Sequence, residues 1–504
     1  MGSLCSCNEK KEFVHIEFAD FAAVTDNNLR LDNDKIQENI RHFVMADTGN
    51  ERADIHARRH YLNGGRLLWI TRGGVSSKAD SLLAYVARVE AEGIPREHFL
   101  YSDISADLER VRELRFDNSK RGDINRVYAR LEFRLTKAFL RYVEGQRFGY
   151  VDPYRALNNL DVRDSDSVRV SYRQLYDVPT RRPDRTFVAS AFAAIVQPDD
   201  SVASFLRESR PENPFYYVLA RRLSAGLPYA ERRRVLVNME RARWRVGDYP
   251  HMHKKYVLVN IPSVHLLAVD GSERMTMRIG LGSLETKTPL LTSRIKRMDF
   301  NPQWIIPKSI IKKSVANHAG SSYYFDSHNY FIQQRSTGKT VDPSHATRDM
   351  LLSSDYSVIQ RGGIGNALGR VIFRFDNNFS IFMHDTSNPG VFSQSDRSVS
   401  HGCIRVERPF DLAVFMLGEK DEALVDRMHY SMTVKYAQGK KDGADDEDVK
   451  VDKSRMVRSV PVKPEVPLFI TYFTIYPDAD GRLVDYPDIY GLDTALLSQL
   501  DKCF

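Results

Sequence analysis

The spacing of apolar positions changes once along the chain. From about residue 30 to 250 they recur every three or four residues. Leu131, Leu135, Ala138, Phe139 and Tyr142 fall on one helix face, and Val235, Met239 and Ala242 repeat the pattern. Glycine and proline end these helices at Gly93-Ile94-Pro95 and at Gly149-Tyr150-Val151-Asp152-Pro153, and the arginine-containing stretch 179–183 reads as an exposed connection. Nothing in this region asks for more than packing, and it is expected to be a helical scaffold.

Near residue 251 the period shortens. Tyr256-Val257-Leu258-Val259-Asn260 and Val264-His265-Leu266-Leu267-Ala268-Val269 are short apolar or β-branched runs separated by Pro262 and followed by Asp270-Gly271, a hairpin signature. Strand-like runs continue at 275–279, Val371-Ile372-Phe373-Arg374-Phe375 and Ile381-Phe382-Met383-His384, with a turn at Asp376-Asn377-Asn378. Between 306 and 360 the regularity lapses into a segment containing Tyr323-Tyr324-Phe325, long enough to be a cap inserted between strands. The charged stretch within 438–456 reads as a solvated loop. Beyond it 466–476 alternates as a strand, Asp478-Ala479-Asp480-Gly481 turns, and 494–500 is a short amphipathic helix. The expected fold class is α+β. It comprises a tail over 1–29, a mostly helical scaffold domain over 30–250, a mostly β domain over 251–437 with a cap at 306–360, the loop 438–456, and C-terminal strands and helix over 457–504 that complete the fold.

At 504 residues the chain is too long for one hydrophobic core, which agrees with two or three domains. Its net charge of +7 comes from 73 basic and 66 acidic residues spread along the whole length, so no dedicated nucleic-acid surface is indicated; weak attraction to an anionic polymer such as a cell wall fits equally well. Arg232-Arg233-Arg234 and Arg241-Ala242-Arg243 sit in helical pattern and read as solvated faces. The cysteines are Cys5, Cys7, Cys403 and Cys503, without a CxxC pair, so neither a disulfide framework nor a zinc ribbon is implied. Leu4-Cys5-Ser6-Cys7 resembles the end of a bacterial lipoprotein signal, which makes Cys7 a lipidation candidate and a membrane tether. The apolar segment that precedes such a signal is missing, so either the chain begins inside a trimmed precursor or the match is chance. No run is long and apolar enough to span a bilayer as a helix.

The chemistry concentrates at Ser400-His401-Gly402-Cys403-Ile404-Arg405 and at His384 in Phe382-Met383-His384-Asp385-Thr386. A cysteine nucleophile needs a base that takes its proton and later delivers it to a leaving amine, and imidazole does both near neutral pH. His401 lies two residues from Cys403, too close in sequence for good control of ring orientation. His384 lies on a separate strand-like run, where a neighbouring strand can hold its ring against the thiol while its second nitrogen donates to a carbonyl. His384 is therefore assigned as base, with His401 and Ser400 in support. Gly402 lets the backbone turn, so that its amide and that of Cys403 point toward an oxyanion. Arg397 and Arg405 flank the site and suit a substrate carboxylate; both also favour the thiolate. His384, His401 and Cys403 would also make a three-ligand zinc set, but a zinc-bound cysteine ceases to be the free nucleophile and no acidic residue lies at a metalloprotease spacing. Neither metal nor cofactor is called for. Papain-like and caspase-like proteases are disfavoured because the flanking residues match neither signature.

At these residues the chain resembles the bacterial L,D-transpeptidases, whose motif is a histidine followed after a loop by Ser/Thr-His-Gly-Cys with an Arg or Asn nearby. The resemblance extends to Asn301-Pro302-Gln303-Trp304-Ile305-Ile306-Pro307, to Gly365-Asn366-Ala367-Leu368-Gly369-Arg370 and to helical segments such as Leu135-Thr136-Lys137-Ala138-Phe139-Leu140, as in the large subgroup with a helical scaffold and an active-site cap. It departs from members that carry a compact wall-binding module, for which 160–230 offers no counterpart. The resemblance implies a periplasmic enzyme acting on peptidoglycan stem peptides. Cys403 would attack the carbonyl before the terminal D-Ala, and a second stem's side-chain amine would resolve the thioacyl-enzyme into a 3-3 cross-link. Trimming of the same stems as an L,D-carboxypeptidase or L,D-endopeptidase, or a dead wall-binding protein, are the alternatives. It also implies substrate contacts from Tyr323, Tyr324, Trp304 and Asn366, although the tyrosines equally suit the core of the cap, and acylation by carbapenems.

Overall fold

The structure, a computed structural model, describes residues 30–504 except 72, 167–168, 198–200, 420 and 437–450, and leaves the side chains of 164–169 undescribed. Cys5, Cys7 and most of the charged loop expected at 438–456 lie outside the described residues. The chain divides into two compact units, one holding residues 30–156, Thr180–Gly247 and Asp493–Phe504, the other Leu157–Pro179 and Asp248–Leu492.

The first unit is helical and centres on the helix Ile124–Phe148. Asp123 caps its start by accepting from the Arg126 amide, and Gly149 ends it at a positive φ. The positions expected on one face, Leu131, Leu135, Ala138, Phe139 and Tyr142, are all buried. So is much of the opposite side, because the helices Asn33–Ala46, Arg52–Leu62 and Tyr101–Arg112 pack around it. A carboxylate sits in this core: Glu132 accepts from the Leu68, Trp69 and Ile70 amides and from the Tyr61 hydroxyl, which satisfies a chain segment that would otherwise bury unpaired N–H groups.

The second unit is built on one sheet, whose strands we number β1 (Tyr176–Asp177), β2 (Lys255–Asn260), β3 (His265–Asp270), β4 (Glu273–Gly282), β5 (Leu290–Phe300), β6 (Val371–Phe375), β7 (Met383–His384), β8 (Ser398–Ser400), β9 (Ile404–Val406) and β10 (Ser459–Thr471). Their order is β6-β7-β9-β4-β3-β2-β10-β5-β1, with β8 beside β4. β6 also pairs antiparallel with β5, which closes the sheet into a barrel and leaves only the short β1 and β8 as edges among the described residues. The hairpin expected from sequence is the β2–β3 pair, with Val257 opposite Ala268 and Val259 opposite Leu266, all inward and buried.

Three expectations change. The segment 157–179 is not part of the helical scaffold. It forms a hairpin, Val162–Asp166 with Arg169–Tyr172, then β1, which pairs parallel with Leu290 and Leu291. The Asn158 side chain clamps it by accepting from the Leu175 and Tyr176 amides and donating to the Tyr176 carbonyl. The tail also divides: β10 enters the barrel between β2 and β5, whereas most of the helix Leu492–Cys503 belongs to the helical unit, where Arg241 pairs with Asp493 at 2.6 Å. Finally, the cap is not irregular. Strands Trp304–Ile305, Tyr330–Gln334, Thr340–Val341 and Tyr356–Gln360 form a four-stranded sheet over a core of Ile306, Ile311, Phe325, Ile332, Leu351 and Val358. Its strands are short and interrupted by single-turn helices, which hides the two-residue period.

Candidate active site

β7 and β9 lie parallel, with Met383 opposite Ile404 and His384 opposite Arg405, and the Ile404 amide donates to the Phe382 carbonyl at 2.9 Å. Residues two apart share a face of a strand, so Cys403, just before β9, emerges on the side of Arg405 and His384. Three electrostatic effects follow. Burial pushes the Cys403 thiol up, against the pull of a Phe382 backbone hydrogen bond and the Arg405 cation. Burial also lowers His384 to about 4, with the Arg405 charge acting in the same direction. Arg405 is itself partly buried, and its Nε has no hydrogen-bond partner among the described residues. At neutral pH the resting pair is thus a neutral thiol and a neutral imidazole beside a fixed cation.

The His384 ring is oriented by the chain that follows it. Nδ1 donates to the Asp385 carbonyl at 2.5 Å, and the Leu368 carbonyl also bonds the ring. Asp385 is held by the Arg370 and Thr386 amides. Gly369 sits at φ +65°, and a Cβ there would fall 2.4 Å from the Asp385 carboxyl carbon, so only glycine lets these segments meet.

The turn that presents Cys403 is tied at Ser400, Gly402 and Cys403. Gly402, at φ +111°, donates its amide to Ser400 Oγ at 3.1 Å, and Ser400 Oγ donates to the Cys403 carbonyl at 2.6 Å. The Gly402 amide is therefore engaged within the turn, which corrects its expected role as an oxyanion donor. Residues absent from the sequence reading hold the outside of the turn. Thr288 Oγ1 donates to the Gly402 carbonyl at 3.0 Å and accepts from the Gly282 amide at 2.9 Å. Thr286 Oγ1 and the Ser283 amide both donate to the Ser400 carbonyl. Tyr490 Oη donates to the Gly282 carbonyl and accepts from Thr288 N. A Ser/Thr-rich run after a strand, as at 283–288, is the only local signal for these contacts, and it is shared by ordinary turns.

Residues 254–434, which include His384, the cap and the whole Cys403 turn, match the family model of the L,D-transpeptidase catalytic domain. The chain carries an L,D-transpeptidase catalytic domain. Residues 57–223 match the model named Scaffold domain. A Haemophilus influenzae protein named "Putative L,D-transpeptidase" is 27% identical over 298 residues, and that match covers 58% of this chain and 56% of the relative. The chain thus spans little more than half the length of this curated relative. The barrel of the L,D-transpeptidase domain is completed from outside the matched residues, since β10 (Ser459–Thr471) follows position 434 and β1 (Tyr176–Asp177) precedes position 254.

The other residues expected to serve the L,D-transpeptidase site are placed as follows. Arg397 donates to the carbonyls of Ile279, Val264 and Gln394, and so staples β3, β4 and the turn before β8 rather than offering a free fork. Asn366 is buried, donates to the Pro302 and Arg361 carbonyls and accepts from the Leu368 amide; it too holds backbone instead of facing substrate. Trp304 packs on the cap core. Tyr324 stacks on His318, with ring centroids 3.9 Å apart, and joins the same core with Tyr330, whereas Tyr323 is exposed. His401 is exposed and lines a cavity of about 1390 Å³ together with Ser400, Thr286 and Lys313 of the cap helix Lys308–Lys313; Cys403 and His384 are not among its lining residues. His401 is held below the ordinary histidine value by partial burial first and then by the charges of Lys313 and Arg405.

Proposed function

We propose that the protein is a peptidoglycan L,D-transpeptidase that works through a thioacyl-enzyme on Cys403. The observation that carries this reading is the β7–β9 register, which gathers Cys403, His384 and Arg405 on one strand face inside the matched catalytic domain. As Cys403 Sγ attacks the carbonyl preceding the terminal D-Ala of a stem peptide, its proton passes to His384. Because Arg405 favours thiolate and opposes imidazolium, proton transfer and attack proceed together instead of through a long-lived ion pair. The carbon–nitrogen bond to D-Ala breaks, and His384 returns the proton to the departing amine. A side-chain amine of a second stem then attacks the thioester, His384 takes its proton, and the thiolate leaves to be reprotonated; the product is a 3-3 cross-link. With the Gly402 amide engaged by Ser400, the Cys403 amide is the remaining backbone candidate for the oxyanion.

Such a substrate places the enzyme in the bacterial periplasm, with a lipidated Cys7 as a tether. The test is incubation of purified protein with disaccharide-tetrapeptide and mass analysis of the products. Tetrapeptide dimers together with released D-Ala are expected; tripeptide alone would turn the assignment into an L,D-carboxypeptidase. A carbapenem is expected to add its mass to the wild type and not to Cys403→Ala.

A further inference from the structure

The cavity beside the Cys403 turn has one wall that lies outside the catalytic-domain match. Arg163 and Arg173 line it from the hairpin segment at 157–179, while Lys313 lines it from the cap and His401 from the turn itself. The hairpin is anchored firmly enough to hold a site. Its base is clamped by Asn158, Lys287 Nζ bonds the Asp161 carboxylate at 2.6 and 2.7 Å, and the Arg173 amide donates to the Asp161 carbonyl at 2.8 Å. Arg173 is half-buried, and neither Arg163, Arg173 nor Lys313 forms an ion pair among the described residues. Three permanent cations sharing one concave surface repel each other and gain from a bound anion, with Glu285 and Asp396 the carboxylates in the same lining. A guanidinium fork holds a carboxylate through two parallel N–H donors, and an ammonium in the same lining adds a point charge.

We propose that this cavity seats a carboxylate of a peptidoglycan stem peptide, with Arg173 and Lys313 as its binding residues and Arg163 at its rim. The inference rests on the transpeptidase reading and deepens it: a hairpin from the scaffold stretch, joined to the barrel, takes part in choosing the substrate. The carboxylate belongs either to the donor stem, bound before acylation, or to the acceptor stem, bound before transfer.

The two sources separate when acylation of Cys403 by a tetrapeptide donor and transfer from the preformed thioacyl-enzyme to an acceptor stem are measured separately. Arg173→Gln with Lys313→Gln is expected to raise the half-saturating concentration in one of the two steps roughly 10-fold, as loss of a charge-assisted contact does, with little change in maximal rate. Arg173→Lys is expected to retain most of the affinity. On the wild type, a stem whose terminal carboxylate is amidated should show the same loss, and the double variant should no longer distinguish it from the acid. Equal half-saturation of wild type and double variant in both steps, while the wild type still forms the Cys403 adduct, overturns the cavity assignment alone. A wild type that forms no adduct and releases no D-Ala removes the transpeptidase reading and this inference with it.

Discussion

At the scale of single residues, the chemistry depends on whether a polar side chain is free or engaged. His384 is buried, its Nδ1 fixed on a carbonyl, and its value of about 4 leaves it neutral above pH 5 or so. His384→Ala should fold normally and lower the Cys403 acylation rate roughly 10² to 10⁴-fold, the size of a general-base contribution, as measured by stopped-flow acylation alongside thermal unfolding. Should His401→Ala have the larger effect, the base assignment is wrong. The wild-type acylation rate should be flat from about pH 5.5 to 8 and fall below that as His384 takes a proton. Asn366 is the opposite case: Asn366→Ala removes the partner of several buried backbone groups, so it should cost about 1–3 kcal/mol in denaturant unfolding and leave substrate half-saturation unchanged. The sequence showed Cys403 and His384 because the chain has only 4 cysteines and Cys403 follows His-Gly, with a further histidine on a neighbouring strand-like run. It also offered Arg397 as a site residue, because a polar residue near a nucleophile looks the same in sequence whether it meets substrate or backbone, and the family resemblance offered Asn366, whose bonds to backbone no motif records.

At the scale of elements, the reactive turn is a strand end held by another turn. β9 begins at Ile404, so Cys403 sits where the ladder starts, and its backbone is steadied through Gly402 by Thr288 and through Ser400 by Thr286. Thr288→Val keeps the volume and removes the hydroxyl that joins Gly282 to Gly402. It is expected to destabilise the protein by about 1–3 kcal/mol and to slow acylation without changing affinity for the stem, read from kcat and KM separately. Strands were visible where apolar and β-branched residues run together between turn signals, as in β2 and β3. That signal failed in the cap, whose four strands of two to five residues leave no alternation to read.

At the scale of the whole molecule, the chain crosses between its two units more often than the pattern of helices and strands suggests, with 157–179 leaving the helical stretch for the barrel and Asp493–Phe504 leaving the barrel for the helical unit. In that unit the Cys503 carbonyl bonds His98 Nδ1, and Phe504 packs on the rings of His98 and Tyr150. Burial lowers His98 to about 4 and raises nearby Glu51 to about 7. The signs oppose. A histidine whose folded value lies below its unfolded one of 6.5 costs stability as pH falls from 6.5 toward 4, whereas a carboxyl raised from 4.5 to 7 contributes stability at low pH that is lost as pH rises through 7. Glu51→Gln should therefore gain on the wild type by about 1–3 kcal/mol between pH 5 and 8 in denaturant unfolding. A loss over that range would refute the direction. Composition and periodicity alone gave the α+β class and the main helical and β stretches, and the local motif singled out the cysteine–histidine candidates, because burial and nucleophilicity are properties of side chains and their local spacing. Only the tertiary structure decided which segment joins which unit, that a hairpin from the scaffold stretch walls the cavity beside Cys403, and which polar residues are free. Strand pairing and hydrogen-bond partners link positions up to 405 residues apart, and no local pattern records them.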